Sequence, residues 1–385
     1  RFNTPKANVL VSLRTPAAAG SAREKVLTQL LLDIINQGLN AQTYAARLAG
    51  LDYRVYGHLR GITVRVGGYN DKLHTLLGDV LAEVASPTLT EQRFALARQK
   101  LIDGLENKAK NRPVQQTSEF VQTRIIEGTF PTEDKLAAAR ELSLQDLQDF
   151  AHGLLAQTDP VMLAHGNLTE AAALNLAKRV EAQVLAQGER TSVARAGIRT
   201  LPVGQTEAKL DINHPDTGYT LYLQGDNTSY QERARYRLLA QIIGSPFYEE
   251  IRTTRQLGYI VYATNFEILE TPALALIVQS PEASGETINQ AVTEFANIFA
   301  EELAMLEPKR LEREKQAVIS RLLEPAHQLG EISSRYWQEI DRENDNFDSR
   351  ERLADAIRDV SLDELNQTFE RALMKSERAL LVTNP

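Results

Sequence analysis

With 385 residues, a net charge of −8 and 43% hydrophobic content, the chain has the makeup of a soluble globular protein of two domains, at roughly 100–200 residues per domain. The absence of cysteine excludes disulfides, thiolate metal sites and a cysteine nucleophile. No apolar run approaches the roughly 20 residues of a membrane-spanning helix; the longest, residues 27–35, is broken by Thr28, Gln29 and Asp33. The acidic balance runs against a nucleic-acid partner, and the opening Arg1-Phe2-Asn3, without Met, leads us to expect a piece of a longer polypeptide.

In chain order, Val9, Val11 and Leu13 alternate with Leu10 and Ser12, which predicts a strand over 8–14. Val26, Leu27, Leu30, Leu31, Ile34 and Ile35 form a helical stripe that Gly38 is expected to close. A hairpin is predicted over 53–60 and 62–69, with Gly61 at its turn. Helices follow at 72–84, 91–109, 114–127 and 143–155, with Pro87 and Pro113 as breaks. A short strand at 161–165 and a helix at 169–185 complete this half.

The second half repeats the order. A strand is predicted at 220–224, a helix at 229–243 and a hairpin at 259–266 and 273–279. Helices at 286–305, 308–323, 330–343 and 361–373 precede a strand at 379–382. Local text agrees with a duplication: Leu142-Ser143-Leu144-Gln145-Asp146-Leu147 resembles Val360-Ser361-Leu362-Asp363-Glu364-Leu365. Each places a serine where it can cap a helix and an acid three residues later to complete the box. The expected organisation is therefore one α+β domain over 1–190, a linker at 191–208 and a second α+β domain over 209–385. Each domain would be an antiparallel sheet packed with several helices.

A search for catalytic signatures finds no P-loop, no Gly-x-Gly-x-x-Gly and no nucleophile elbow. The six histidines, His58, His74, His152, His165, His214 and His327, lie nowhere three or four residues apart, so no helix presents two imidazoles one turn apart to a zinc ion. His327 and Glu331 share that spacing, but Gly330 lies between them and no third ligand is evident; a structural role is expected. His165, ending an apolar strand, reads as a satisfied buried histidine. One segment differs. Residues 245–262 place a helical turn, a loop closed by Gly258 and then a strand, so that Arg252 projects from the helix end and Tyr259 from the strand start. A guanidinium and a phenol at that point can donate hydrogen bonds to a peptide carbonyl or a developing oxyanion. An exposed ion-pairing arginine and a core tyrosine are the plainer alternative for the same residues.

The run from Ile251 to Tyr259 resembles the Leu-Arg-Thr-x-x-Gln-Leu-Gly-Tyr text of the insulinase–pitrilysin family of zinc peptidases, with Ile in the first place. Gly68-Tyr69-Asn70-Asp71-Lys72, His165-Gly166-Asn167, Arg335-Tyr336-Trp337, Asn346-Phe347-Asp348 and the stretch 39–51 resemble other family segments in order. The resemblance, to peptidase family M16, implies four homologous α+β domains of the LuxS/M16 metallopeptidase-like kind, set as two halves around a peptide-binding chamber. Zinc would belong to a His-x-x-Glu-His helix of the first domain, and this chain would be domains three and four, with no metal site of its own. The resemblance makes Arg252 and Tyr259 the groups that hold substrate and stabilise the tetrahedral intermediate across the chamber. The implied partners are the zinc-bearing N-terminal half, on the same polypeptide or a partner chain, and peptide substrates, with neither nucleic acid nor membrane; a homodimer is an alternative assembly. An inactive partner subunit of a two-chain peptidase and a structural core-type subunit are the competing functions. The sequence leaves periplasm and cytoplasm both open, and bacterial relatives of pitrilysin type favour the periplasm slightly.

Overall fold

The computed structural model describes residues 4–384; the opening Arg1-Phe2-Asn3 lies outside them. The strands are β1 (Lys6–Arg14), β2 (Leu51–His58), β3 (Gly61–Tyr69), β4 (Gln157–Gly166) and β5 (Glu189–Arg190), then β6 (Gly204–Lys209), β7 (Thr217–Gln224), β8 (Ile260–Asn265), β9 (Ala273–Ser280) and β10 (Arg378–Thr383). The helices of the first part are α1 (Ala22–Gln42), α2 (Tyr44–Leu48), α3 (Leu73–Ala85), α4 (Glu91–Lys108), α5 (Pro113–Ile125), α6 (Thr132–Glu141), α7 (Leu144–Gly153) and α8 (Glu170–Val184). Those of the second are α9 (Tyr230–Tyr248), α10 (Gly285–Ala304), α11 (Pro308–Leu322), α12 (Leu329–Asp341), α13 (Ser349–Asp359) and α14 (Leu362–Phe369).

The sheets carry the duplication. One runs β2-β3-β1-β4-β5 and the other β6-β10-β7-β9-β8. Read from the opposite edge, the second order is the first with β7, β8, β9, β10 and β6 in place of β1, β2, β3, β4 and β5. In both, four strands pair antiparallel and the fifth joins parallel, β5 on β4 and β6 on β10. The two matched serines also do the same job. Ser143 and Ser361 each accept from the backbone N–H three residues on, while Asp146 and Glu364 reach back to the cap N–H. The fold is α+β twice over.

The compact units are not consecutive stretches of chain. Residues 107–127, which include α5, pack with 197–325 and 348–385; residues 326–347, which include α12, pack with 1–106 and 128–196. The same position in each repeat, the helix after α4 and the helix after α11, is thus given to the other unit. A cut in the 191–208 segment divides the sequence into repeats but parts each sheet from the helix that the other repeat packs on it.

The strand patterns show why a helix is needed on the second face of each sheet. β1 and β7 are buried along nearly their whole length on both faces, which a sheet achieves only when both faces are covered. In the first unit Val9, Val11 and Leu13 enter the main core with α1 and α3 residues, while Asn8, Ser12 and Arg14 are also buried, on the opposite face. In the second, Tyr219, Leu221 and Leu223 belong to the large core, and Tyr222 joins Val121 and Ile125 of α5 in a smaller cluster behind the sheet. Against the expectation that Gly38 ends the first helix, α1 runs on to Gln42. Gly38 instead lies beside Glu83, where a Cβ would stand 2.8 Å from a carboxylate oxygen of that side chain.

Candidate functional site

The site lies where α9 gives way to β8 in the second unit. Ser229 caps α9 by accepting from the Glu232 N–H. Leu238, Leu239, Ile242, Ile243, Phe247 and Ile251 form its buried stripe, and that stripe fixes the rotation of the helix about its axis. With Ile251 fully buried, Arg252 must face outward, and it is exposed. The helix then widens. Arg255 N–H donates to the Glu250 carbonyl at 3.0 Å and Leu257 N–H to the Ile251 carbonyl at 3.0 Å, spacings longer than the ordinary four-residue bond. Gln256 takes a left-handed φ of 55°, which turns the chain out of the helix. Arg255 is braced by Glu250 and Glu294.

Gly258 lets the chain approach β9. A Cβ there would stand 2.7 Å from the Gln279 carbonyl oxygen, and the next residue, Tyr259, donates its backbone N–H to that oxygen at 3.0 Å. Tyr259 therefore stands immediately before β8, the outer strand of its sheet, with its side chain 43% exposed.

Arg252 and Tyr259, singled out in the sequence, are brought together. The Arg252 guanidinium donates to the Tyr259 backbone carbonyl at 2.8 Å and lies 5.2 Å from the Tyr248 ring centre. That single bond uses one of its five N–H groups. The Tyr259 hydroxyl donates to an Asp216 carboxylate oxygen at 2.6 Å. The buried Gln279 amide donates both to Asp216, at 2.8 Å, and to the Tyr259 hydroxyl oxygen, at 2.5 Å. Asp216 is set by the turn before β7, where its N–H donates to His214 Nδ1 at 3.0 Å and its carbonyl accepts from Asn384 at 3.0 Å. The bond from Tyr259, then that from Gln279, holds the Asp216 carboxyl below its usual range. The same bond to Asp216 raises the phenol, because it favours a proton on Tyr259 next to a charged acid.

Asp216 and Gln279 were not marked in the sequence. Gln279 is a polar residue closing the apolar run of β9, the one local hint; Asp216 sits in an ordinary His-Pro-Asp turn. Of the two histidines singled out in the sequence, His165 is half-buried rather than buried, and His327 is exposed. His165 Nδ1 bonds the Ser333 hydroxyl at 2.9 Å with its ring edge-on to Tyr336. Glu331 accepts the His327 backbone N–H at 2.7 Å. Among the described residues no group of three or more His, Cys, Asp or Glu side chains is placed to share a metal ion, and no helix is long and apolar enough to cross a membrane.

Comparison with known proteins accords with this architecture. A family described as the middle or third domain of peptidase M16 matches residues 1–138, and one described as the PQQ synthase PqqF-like C-terminal lobe, domain 4, matches residues 238–337. Human insulin-degrading enzyme is 26% identical over 363 residues, covering 90% of this chain and 35% of its own length; the chain thus spans about a third of that relative. The crystal structure of pitrilysin superposes with a TM-score of 0.90 at 24% identity, over 99% of this chain and 40% of that one. The periplasmic protease PqqL of Escherichia coli does so at 0.73 and 13% identity, over 99% and 43%. The chain belongs to peptidase family M16, and what it matches there is the C-terminal half.

Proposed function

We propose that this chain is the substrate-holding half of a zinc-dependent metalloendopeptidase that degrades peptides in a closed chamber. Its partner is the metal-bearing N-terminal half, on the same polypeptide or on a partner chain. The residues described here do not fit a zinc site, so the metal's chemistry, activation of water and polarisation of the scissile carbonyl, is assigned to the other half. The roles left to this chain are those of hydrogen-bond donors and positioning groups. The named compartment of PqqL favours the periplasm.

The observation that carries this reading is the pairing of Arg252 with Tyr259. Two strong donors are exposed within one turn-and-strand junction, and the arginine grips the backbone of the very residue whose phenol is presented. Such donors, once turned to the bound peptide, stabilise a developing oxyanion and hold the peptide in a reactive geometry. Removing one such donor costs about 3–4 kcal/mol of transition-state stabilisation at most. The test is Tyr259→Phe in the complete enzyme. Turnover of a fluorogenic peptide should fall more than peptide binding weakens; unchanged turnover removes the proposed role.

A further inference from the structure

We propose that Asp216 and Gln279 form a latch on Tyr259, holding its phenol proton away from peptide until substrate displaces the Asp216 carboxylate. The inference rests on the donor role assigned above and names the residues that control it.

A phenol has one proton to give, and in this structure it is given to Asp216. The lone pairs of its oxygen face the Gln279 amide. Gln279 is fully buried and its amide nitrogen reaches both partners, so the three side chains close a ring: tyrosine to aspartate, glutamine to aspartate, glutamine to tyrosine. In this arrangement Tyr259 can accept but cannot donate to a peptide carbonyl. To become an oxyanion donor it must give up the Asp216 bond, and a hydrogen bond to a charged carboxylate is among the stronger ones a neutral hydroxyl makes.

The surroundings show which member of the ring can yield. Tyr259 is 43% exposed and Asp216 is half-buried. Gln279 is fixed in β9, where its backbone carbonyl also receives the Tyr259 N–H. The Tyr259 backbone is held on two sides, by that bond and by the Arg252 guanidinium on its carbonyl. Freeing the phenol is therefore a side-chain rotation on a fixed backbone, and Gln279 stays behind to satisfy Asp216. The cost of opening is borne by substrate binding, and Asp216 acts as a positioning residue through Tyr259.

The test is a double-mutant cycle in the complete enzyme, with a fluorogenic peptide. Asp216→Ala should raise kcat/KM by about threefold to tenfold, the scale of losing one competing hydrogen bond, and Asp216→Asn should raise it less, because an uncharged acceptor remains. Neither change should have any effect in a Tyr259→Phe background. A gain in activity is not what general damage to the fold produces. Should Tyr259→Phe lower turnover while both Asp216 variants lower it too, or leave it unchanged, the latch is overturned and the donor role stands. Should Tyr259→Phe leave turnover unchanged, the donor role and the latch both fall. If Asp216→Ala does not fold, Asp216→Asn decides the same question.

Discussion

The Asn8 side chain of β1 donates to the Ser333 hydroxyl of α12 at 2.9 Å, across 325 residues of sequence, and the bond is buried. Its counterpart in the other unit joins Thr117 of α5 to Thr220 of β7 at 2.8 Å, also buried. In each unit the central strand of the sheet is thus tied by a buried bond between two side chains to the helix supplied by the opposite repeat. The two helices are otherwise seated differently. α5 buries Val114, Val121 and Ile125, each worth about 1.5–3 kcal/mol of apolar burial, so its bond to Thr220 mainly sets register. α12 buries only Ser333 and Glu339 and leans on polar contacts, among them His165 to Ser333 and Arg14 to the Ile340 carbonyl.

Loss of either tie strands a buried polar partner. Ser333→Ala leaves the Asn8 amide buried without a partner and should cost about 1–3 kcal/mol in the first unit, read as a lower denaturation midpoint. Thr117→Val should cost a similar amount by stranding the Thr220 hydroxyl, yet Thr117→Val with Thr220→Val should recover most of it, since replacing both partners by apolar groups of the same shape is nearly neutral. A double variant as unstable as the single one would show that this bond does more than set register.

Much of this architecture is legible in the sequence because apolar periodicity reports burial on the nearer core. The stripe of α1 and the alternation of β1 give both elements directly. Three helices escape such a reading, α2, α6 and α13; α2 has five residues, none of them buried. α6 buries only Ala139, so it shows no stripe to find, and α13 is short and crowded with charge, with Leu353 and Ile357 as its main apolar anchors. α9 continues to Tyr248, beyond Gly244 and Pro246, because Phe247 and Ile251 remain anchored in the core. At the site, Arg252 and Tyr259 are readable since seven residues separate them. Asp216 and Gln279 come from 43 and 20 residues away, and their meeting depends on the pairing of β7, β8 and β9, which no local pattern encodes.

The glycine before Tyr259 offers a test of how tightly the phenol is placed. Gly258→Ala puts a methyl group 2.7 Å from the Gln279 carbonyl oxygen, so the Tyr259 N–H bond to that oxygen must lengthen or break. We expect a loss of about 1–3 kcal/mol in stability, the usual cost of an overpacked contact, and a fall in peptide turnover by the complete enzyme. Gly104→Ala is the control. Nothing lies within 4 Å of a Cβ at that position in α4, so it should stabilise by about 0.5–1 kcal/mol and leave turnover unaltered. Equal turnover in the Gly258 variant would mean that Tyr259 need not be held this closely.

Metal removal separates the two halves of the proposed enzyme. Since no group of ligating side chains converges among the described residues, a chelator should leave the thermal midpoint of this chain unmoved, while abolishing hydrolysis by the complete enzyme. A midpoint that falls on chelation and returns with added zinc would place a structural metal in this chain and contradict the assignment.

The last prediction concerns pH and falls on His58, at the end of β2 in the first unit. Its Nε2 lies 3.1 Å from the Ser12 hydroxyl, and its Nδ1 accepts the Arg60 N–H at 3.2 Å. Burial is the leading cause that lowers this imidazole from 6.5 to about 4; Asp341 opposes the shift, while Lys25 and Arg14 add to it. A group whose proton affinity is lower in the folded state favours folding when it is neutral in both states. Its contribution is therefore present in full above about 6.5 and is lost as pH falls toward 4, where the unfolded chain binds a proton that the folded one resists. The loss is about 3 kcal/mol at most. His58→Gln removes the titrating group, and acids that titrate over the same range are common to both proteins. The difference in unfolding free energy between wild type and variant, measured by urea denaturation from pH 7.5 down to 4.5, should therefore move against the wild type as pH falls. A difference that does not change with pH would show that His58 takes up its proton in the folded protein as readily as in the unfolded chain.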